Sequence, residues 1–413
     1  MSDTSVWITG VGVVGPQGHG WQALCASLLD PVACFSPLPA EWLRHPGAPD
    51  AFMAPLHPQA EQAVQAHQSL STDRACALAL CASAEAWAQA APQVDPRRAG
   101  VYWGTGMGGL HTTEASYQRL LVEHAALRPM TVVRIMANSS AAQLAIKYGL
   151  KGPNMTYSVA CASSAMALGE ALLAIRAGRI DLALVGGSEA MLAPGVLAAW
   201  GALRVLSTRK TVSDPALACR PFSSERSGLT IGEGAAAFVL ESARHARARG
   251  ARPLGELAGY GTSCDAASLV QPQTDGQIEA IRQALDDAGV QPGDIGAVNA
   301  HATGTDAGDV AEAQALAAAL GPARPPVSAT KSQHGHLLGA AGALEAAISL
   351  ASLQLQLVPA TLGALPLDPR CAELDVSDRP RALPLAHVLS NSFAFGGSNV
   401  SLVLRHAPVS GKP

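Results

Sequence analysis

The sequence predicts an α/β protein built from two similar halves. Short β-branched runs alternate with Ala- and Leu-rich helical runs, this alternation occurs twice, and 48% of the 413 residues are hydrophobic. A chain of this length and composition buries a large core. Alternating strands and helices favour mostly parallel sheets that are covered by helices.

The first half supplies five strand-like runs and one clear helix. The strands are SVWITGVGVVG (5–15), RAGVYWGTG (98–106), NMTYSVA (154–160), IDLALVGGSEA (180–190) and GAAAFVLES (234–242). The helix is SSAMALGEALLAIRAG (163–178), which directly follows the third strand.

The second half repeats this alternation. Its strands are GELAGYGTS (255–263), GAVNAHATGT (296–305), PPVSATKS (325–332) and AHVLSNSFAFGGSNVSLVLRH (386–406), and its helices are DGQIEAIRQALDDAG (275–289) and AAGALEAAISLASLQ (340–354). We place the join near residues 245–255, which divides the chain into 1–250 and 251–413. Because no low-complexity linker separates the halves, we expect them to share one core.

Composition and charge exclude several classes of protein. The formal net charge of -4 and the lack of Lys/Arg runs argue against nucleic acid as a partner. The N-terminal MSDTSVWITGVGVVG has no basic region ahead of its apolar stretch, and no apolar run reaches the roughly 18 residues of a membrane span. Eight cysteines without a CxxC pair predict neither disulfides nor structural zinc. We expect a soluble, cytoplasmic protein.

Three glycines spell a dinucleotide-binding motif that the context does not support. Gly10, Gly12 and Gly15 form G-x-G-x-x-G directly after a strand. Pro16 follows at once, and the next helix is predicted to begin only near Trp21. No second strand ends in an acidic residue at the spacing of about 20 residues that ribose binding requires. Tight packing is the better interpretation of these glycines.

Cys161 is a candidate nucleophile. It stands where a strand meets a helix without a spacer, at or just before the first helical turn. The unpaired N–H groups and the dipole of a helix N-terminus lower the pKa of a thiol and can bind an oxyanion. Taken alone, this position leaves an ordinary buried thiol as an equal alternative.

Reactive groups also follow two strands of the second half. His301 ends one strand, Lys331 leaves another, and His336 is predicted to open the helix that carries Glu345. Carboxyl ends of parallel strands lie at one edge of a sheet, so these groups are candidates for a shared site. Two other histidines are more simply interpreted as structural residues: His334 and His387.

Four stretches resemble the signature sequences of the β-ketoacyl-acyl-carrier-protein synthases: VACASS, NAHATGT, KSQHGHLLGAAG and NSFAFGGSN. The chain is most similar to the elongating type II branch of these condensing enzymes, and the match runs from ITGVGVVGP to SNVSLVL. The resemblance implies a thiolase-like fold, in which two βαβαβαββ halves form a five-layer αβαβα sandwich, usually as a dimer.

The resemblance also implies catalytic roles. Cys161 would carry an acyl chain as a thioester, and His301 and His336 would bind the malonyl carbonyl and assist its decarboxylation. Imidazole N–H groups suit this step because loss of CO₂ leaves an enolate oxygen that needs donors. The backbone N–H groups of Cys161 and Phe395 would form the oxyanion hole. Lys331, paired with Glu345 and with Glu312, would orient His336.

Binding roles follow in the same way. Thr303 and Thr305 would hold the pantetheine arm, and Phe395 would gate the pocket on a loop (391–399) that Gly396 and Gly397 make mobile. Five residues around the expected acyl pocket and dimer contact depart from the long-chain pattern: Met107, Met130, Val133, Arg134 and Trp200. Of these, Trp200 would shorten the pocket. A basic patch would bind the acidic carrier protein: Arg204, Arg209 and Lys210. Val270 replaces a threonine common in the family, and the sequence does not place Arg134.

Substrate and partner stay open at this point. The resemblance implies acyl carrier protein as a partner, no cofactor and no metal. Fatty-acid elongation is one hypothesis, and a ketosynthase of a specialised type II polyketide or aryl-polyene-like pathway is the other. The dimer is accordingly either of identical chains or with a homologous chain-length-setting subunit.

Three other classes are disfavoured. A non-catalytic partner subunit would lack the nucleophile, whereas this chain has Cys161. A thiolase would carry a second catalytic cysteine late in the chain, and the only late cysteine, Cys371, lies outside the SFAFGGSN region. A zinc site of His301, His334 and His336 has no acidic or thiol ligand nearby in sequence.

Overall fold

The protein is described by a computed structural model that covers residues 4–407. Its strands are β1 (Val6–Gly15), β2 (Gly18–His19), β3 (Ser36–Pro37), β4 (Phe52–Ala54), β5 (Ala99–Gly104), β6 (Asn154–Tyr157), β7 (Leu182–Glu189), β8 (Ile231–Gly232), β9 (Gly234–Ser242), β10 (Gly255–Cys264), β11 (Ala297–Asn299), β12 (Pro326–Ser328), β13 (Leu357–Val358), β14 (Asp375–Val376), β15 (Arg381–Ala382), β16 (His387–Phe393) and β17 (Ser398–His406). Its α-helices are α1 (Trp21–Leu29), α2 (Pro58–Gln65), α3 (Arg74–Ala90), α4 (Leu110–Tyr117), α5 (Thr131–Ile135), α6 (Ser139–Tyr148), α7 (Ser163–Arg176), α8 (Pro194–Ala202), α9 (Ala243–Ala248), α10 (Thr274–Ala288), α11 (Asp306–Leu320), α12 (Lys331–His334) and α13 (Ala341–Leu355).

Strand pairing shows the duplication that the sequence predicts. Within residues 4–407, twelve strands are hydrogen-bonded in the order β14-β12-β11-β16-β17-β10-β1-β9-β7-β5-β6, with β2 paired to β1. In the first half, β1 and β7 flank β9 in antiparallel fashion, and β5 and β6 add in parallel. In the second half β10, β17, β16, β11 and β12 repeat the same pattern. The halves meet where β1 pairs with β10.

Helices α7 and α13 form the central layer between the two half-sheets. Helix α7 contacts β5 and β7 of the first half and β10 and β17 of the second, and α13 contacts β9, β16 and β17. Helices α3 and α6 cover the outer face of the first half-sheet, and α10 and α11 cover the second. The result is five layers, αβαβα, with the largest apolar cluster in the middle.

The glycine motif of β1 is explained by packing against a helix. A Cβ atom on Gly10 or on Gly12 would lie 2.1 Å from a carbonyl oxygen of α3. In the second half, a Cβ atom on Gly259 or Gly261 would lie 2.3 or 2.0 Å from a carbonyl oxygen of α10. The same glycine pattern therefore brings the first strand of each half against its outer helix.

Within residues 4–407, one stretch is long and apolar enough to cross a membrane, although no apolar run of that length was expected from the sequence. It runs from Leu338 to Leu355 and comprises α13 with the turn before it. Since 89% of the stretch is buried inside the protein, it is a core helix of the central layer.

Candidate active site

Cys161 lies in a 3₁₀ turn, Ala160–Ala162, between β6 and α7. Ala160 has a φ of +48°, which is uncommon for a residue with a side chain and makes the turn sharp. The Cys161 Sγ lies 3.0 Å from Nε2 of His336. It also accepts a hydrogen bond from the backbone N–H of Phe395. Cys161 is buried, and it lines a cavity of about 540 Å³.

The pKa of this thiol differs from the expectation. The helix N-terminus was expected to lower it, whereas burial raises the pKa of Cys161 to about 11. The Lys331 charge and the Phe395 N–H act in the opposite direction but do not outweigh the desolvation. The resting nucleophile is therefore a thiol beside an imidazole rather than a preformed thiolate.

His301 and His336 approach Cys161 from two different loops. His301 follows β11, and its ring lies edge-on to that of His336 with centroids 5.4 Å apart. His336 lies in the loop between α12 and α13, five residues before α13 begins, so it does not open that helix as predicted. The two imidazoles and the thiol thus face a common point from different sides.

Lys331 and Glu345 form an ion pair that is fully buried. The Lys331 Nζ also lies 3.3 Å from Nδ1 of His301. Lys331 was expected to orient His336, but its direct contact is with His301, because α12 begins beside the loop that follows β11. It reaches His336 only through its charge.

Glu312 does not contact Lys331 directly. Its carboxylate accepts the backbone N–H groups of His301 and Ala302 at 2.9 and 2.7 Å and the Asn391 side-chain amide at 3.1 Å. It therefore fixes the loop that carries His301. Burial raises the pKa of Glu312 and of Glu345 to about 7.

Both histidines are held neutral. Burial, followed by the nearby Lys331 charge, lowers the pKa of His301 and of His336 well below the ordinary value. Within residues 4–407, Nδ1 of His336 has no hydrogen-bond partner, so no carboxylate strengthens this ring as a base. Neutral imidazoles in such a site serve best as hydrogen-bond donors and acceptors.

Three atoms of the site are also spaced for metal binding. The ligand atoms of Cys161, His301 and His336 all lie within 4.8 Å of one another. His334, the third member of the zinc set considered from sequence, is directed to the Gly335 carbonyl and the Thr330 hydroxyl instead. Lys331 beside His301 places a positive charge near any cation there.

The cavity above Cys161 contains the predicted binding residues. The hydroxyls of Thr303 and Thr305 lie 3.0 Å apart on its wall. Trp200 and Phe395 also line it, with ring centroids 6.1 Å apart and planes inclined by 22°. Phe395 stands in the turn between β16 and β17, where Gly396 and Gly397 have φ values of +87° and +81°. Val270 lies on the same wall.

Other predicted residues lie apart from this cavity. Met107 is 52% exposed and does not line it, so the structure does not place it in the pocket around Cys161. Arg134 donates to the Thr72 carbonyl at 3.0 Å and lines a separate cleft of about 950 Å³. Arg204 lies at the cavity rim, whereas Arg209 pairs with an acidic residue on the neighbouring surface, Asp50, at 3.5 Å. Lys210 is exposed beside them.

Sequence reasoning missed two carboxylates that hold the site together. Glu189 ends β7 and accepts the backbone N–H groups of Gly106 and Gly339 at 2.5 and 3.0 Å, which ties β5 to the turn after His336. Asp309 accepts the N–H groups of Thr303 and Gly304, both at 3.1 Å. Both could have been found from their positions in the sequence. Glu189 is an acidic residue at the end of an apolar strand, and Asp309 lies in the first turn of the helix that follows the Thr303–Thr305 loop.

Known proteins are similar in sequence to this chain over most of its length. Two family models match: "Beta-ketoacyl synthase, N-terminal domain" over residues 3–246 and "Beta-ketoacyl synthase, C-terminal domain" over residues 254–364. Nodulation protein E of Rhizobium sp. (strain N33) is 37% identical, with 98% of this chain and 99% of the relative covered. 3-Oxoacyl-[acyl-carrier-protein] synthase 2 of Synechocystis sp. (strain ATCC 27184 / PCC 6803 / Kazusa) is 36% identical, with 97% of each covered.

Three solved structures share the fold with a TM-score of 0.89 each. A β-ketoacyl synthase from Burkholderia phymatum STM815 is 35% identical, and the alignment covers 98% of this chain and 100% of that synthase. The ishigamide ketosynthase/chain length factor is 31% identical, with 98% and 99% covered. A type II polyketide ketosynthase bound to a hexaketide, in complex with its acyl-carrier protein, is 29% identical with 98% and 99% covered.

Proposed function

This chain belongs to the β-ketoacyl synthase family and is an acyl-transferring condensing enzyme, and on that premise we propose roles for its residues. Cys161 takes the acyl chain, and His301 and His336 drive the decarboxylation of the extender unit. The observation that carries the assignment is the 3.0 Å contact between the Cys161 Sγ and the His336 Nε2, with the His301 ring facing the same point.

Acyl transfer begins with the Cys161 thiol. Its sulfur attacks the thioester carbonyl of an acyl chain on the carrier protein, and the carrier's thiol leaves with the proton that Cys161 gives up. The carbonyl oxygen becomes negative during this attack. The backbone N–H of Phe395, which already points at the sulfur, and that of Cys161 supply donors for it.

Condensation then uses the two imidazoles. The malonyl carboxylate leaves as CO₂, and the electron pair of the broken C–C bond forms an enolate whose oxygen is met by N–H donors of His301 and His336. The enolate carbon attacks the acyl-Cys161 carbonyl, the C–S bond breaks, and its electron pair leaves with the Cys161 sulfur as a thiolate, which takes up a proton from solvent to restore the thiol. A buried, neutral donor pair stabilises the enolate oxygen, which carries the negative charge after CO₂ leaves, more than it stabilises the uncharged carbonyl oxygen of the bound malonyl thioester, and this lowers the barrier.

The partner that delivers both substrates is an acyl carrier protein, in our proposal. Carrier proteins are acidic, and two exposed cations, Arg204 at the rim of the cavity and Lys210 six residues later, offer positive charge for docking. Thr303 and Thr305 line the same cavity as Arg204 and Cys161, and their hydroxyls can bond the amides of the pantetheine arm. All eight cysteines are free thiols, which fits a cytoplasmic enzyme.

We further propose that two copies of this chain form a dimer through the edge strand β6. This strand lies at one edge of the sheet. Exposed apolar side chains are concentrated in residues 117–136, and one more, Met155, lies in β6 itself. They are Tyr117, Leu120, Leu121, Val122, Leu127, Met130, Val132, Val133, Met136 and Met155. Two identical edge strands can pair with each other across a twofold axis. A mass by light scattering that equals one chain would contradict this, and co-purification with a homologous chain would favour a heterodimer.

Acyl loading tests the function directly. We would incubate the protein and its Cys161→Ala variant with carrier proteins that bear saturated, polyene and aryl chains, and measure intact mass. A mass gain that requires Cys161 supports the assignment. The chain that loads best decides between fatty-acid elongation and a specialised type II pathway, which the ketosynthases with polyketide and chain-length-factor partners among the structural relatives also represent. No adduct with any chain would contradict it.

A further inference from the structure

We infer that the cavity above Cys161 selects acyl chains with a flat, conjugated segment next to the thioester, held between the rings of Trp200 and Phe395. This inference rests on the proposed function and narrows its substrate class. Both rings line the cavity onto which the Cys161 sulfur opens. Because the Phe395 backbone N–H points at that sulfur, the ring pair stands beside the first carbons of a bound chain.

The two rings form a slot with one fixed and one adjustable wall. Trp200 belongs to α8 and packs into the apolar cluster that also contains Leu197 and Cys161. Phe395 stands in a turn whose next two residues, Gly396 and Gly397, have positive φ values that only glycine adopts freely. Two backbone bonds tie the turn to the loop that follows β10, from the Gly396 N–H to the Leu269 carbonyl at 2.9 Å and from the Asp265 N–H to the Gly397 carbonyl at 2.8 Å, and neither involves the Phe395 side chain.

The dimensions suit a flat guest. Carbon atoms pack at about 3.5–4.0 Å, so a planar chain between two rings requires about 7–8 Å between them. The ring centroids are 6.1 Å apart and the planes are inclined by only 22°. Because the centroid distance is an upper limit on the spacing between the ring planes, the Phe395 ring must move outward by at least roughly 1–2 Å to admit a conjugated chain.

A saturated chain fits this slot less well. It is thicker than a conjugated chain because its hydrogens project above and below the carbon backbone, so the rings would have to separate further. It also loses more rotational freedom when it is confined, whereas a conjugated chain is already rigid. Its faces lack the π electrons that favour stacking on aromatic rings.

This inference differs from the sequence expectation that Trp200 shortens the pocket. A shortened pocket discriminates between chains by their length. A slot between two rings discriminates between chains of equal length by their flatness. Two chains with the same number of carbons therefore separate the two interpretations.

The test measures the rate at which Cys161 is acylated from a carrier protein bearing either a saturated chain or a trans-conjugated chain with the same number of carbons, followed by intact mass. We expect the conjugated chain to load about tenfold faster, which matches the upper range of aromatic pairing. Trp200→Phe should keep the preference and Trp200→Leu should reduce the ratio to near one. Trp42→Leu is the matched control, because Trp42 packs on the same cluster but does not line this cavity.

A second readout keeps the inference testable if Trp200→Leu does not fold, because it uses only the unmodified protein and Trp200→Phe. Loading of the conjugated chain onto the unmodified protein should shift the chain's absorption to longer wavelength and quench tryptophan fluorescence, and Trp200→Phe should reduce only the quenching. Equal loading of both chains, or a ratio unchanged in Trp200→Leu, would overturn the inference while leaving the proposed function intact. Failure of every chain to load on any protein would overturn the proposed function and the inference with it.

Discussion

Lys331 and Glu345 form an ion pair that no solvent reaches, and it stands directly behind His301 in the active site. The ammonium group contacts the Nδ1 side of that imidazole, so its charge disfavours protonation of the ring and leaves Nε2 as the functional nitrogen. A buried pair is expensive to desolvate and is rarely a source of net stability. Its place beside His301 therefore indicates a role in setting the charge of the site.

Removing one member of this pair should destabilise the protein more than removing both. Lys331→Met leaves Glu345 buried without its partner, and we expect the free energy of unfolding to fall by about 3–5 kcal/mol. The double variant Lys331→Met/Glu345→Leu should recover most of that loss, because neither charge remains. Urea unfolding measures both values. Malonyl decarboxylation should be impaired in both variants, and full activity in the double variant would contradict the electrostatic role.

Substitution of the nucleophile should separate the two half-reactions. Cys161→Ala should give no acyl adduct and no condensation. Cys161→Gln should still decarboxylate malonyl-carrier protein, since its side-chain carbonyl can occupy the place of the acyl-thioester carbonyl beside the Phe395 N–H. Release of CO₂ and formation of acetyl-carrier protein are the readouts. If Cys161→Gln/His301→Ala decarboxylates as fast as Cys161→Gln, the role of His301 is wrong.

The raised pKa of the thiol predicts its reactivity toward alkylating agents. Burial raises the pKa of Cys161 to about 11, so the thiolate fraction grows about tenfold per pH unit through neutral pH. Alkylation of Cys161 by iodoacetamide, followed by peptide mass mapping between about pH 7 and 9, should rise accordingly, with the exposed Cys264 as an internal reference. A rate at Cys161 that does not change with pH would show a preformed thiolate and restore the expectation from the helix N-terminus.

The lowered histidine pKa values predict a one-sided pH dependence. In the unfolded chain, His301 and His336 bind protons below about pH 6.5, but the folded chain resists this because their pKa values lie well below that. Their contribution to stability is therefore present above about pH 6.5 and is lost as the pH falls toward the folded pKa. Decarboxylation by Cys161→Gln should stay constant from about pH 8 to 6. A decline centred near pH 6.5 would show that the imidazoles titrate at their ordinary value.

Much of the site was predictable because it follows strand ends. Cys161, His301 and Lys331 each follow a strand in the parallel part of a half-sheet, whose carboxyl ends lie at one edge. The half-sheets are not mostly parallel as predicted, because β9 and β17 each pair antiparallel with both neighbours. The duplication was predictable for a related reason, since strand and helix periods repeat along the chain. The resemblance then added roles that periodicity alone does not contain, such as the backbone donor of Phe395.

The remaining features depend on contacts between distant parts of the chain. The histidine that Lys331 contacts is His301 rather than His336 because of how α12 lies against the loop after β11, which no local pattern encodes. The thiol pKa was mispredicted because the helix position is local, whereas desolvation comes from α8 and from the β16–β17 turn. Met107 was assigned to the pocket from its position in the family pattern, but its surroundings in this chain leave it exposed.

The glycines of β1 give a prediction with an internal control. An alanine at Gly12 would place its Cβ 2.1 Å from a carbonyl oxygen of α3, and an alanine at Gly261 would place it 2.0 Å from one of α10, so backbone must move in either half. We expect Gly12→Ala and Gly261→Ala each to destabilise the protein by about 1–3 kcal/mol or more, the range for overpacking. Gly15→Ala should be tolerated, since no atom lies within 4 Å of the added Cβ. A dinucleotide site would instead make ligand binding sensitive to Gly15→Ala as well as to Gly12→Ala, because there all three glycines either approach the phosphates or pack the turn. Thermal unfolding of the three variants, with and without a nicotinamide dinucleotide, decides between the two. Stabilisation by the dinucleotide that Gly15→Ala abolishes would contradict the packing explanation.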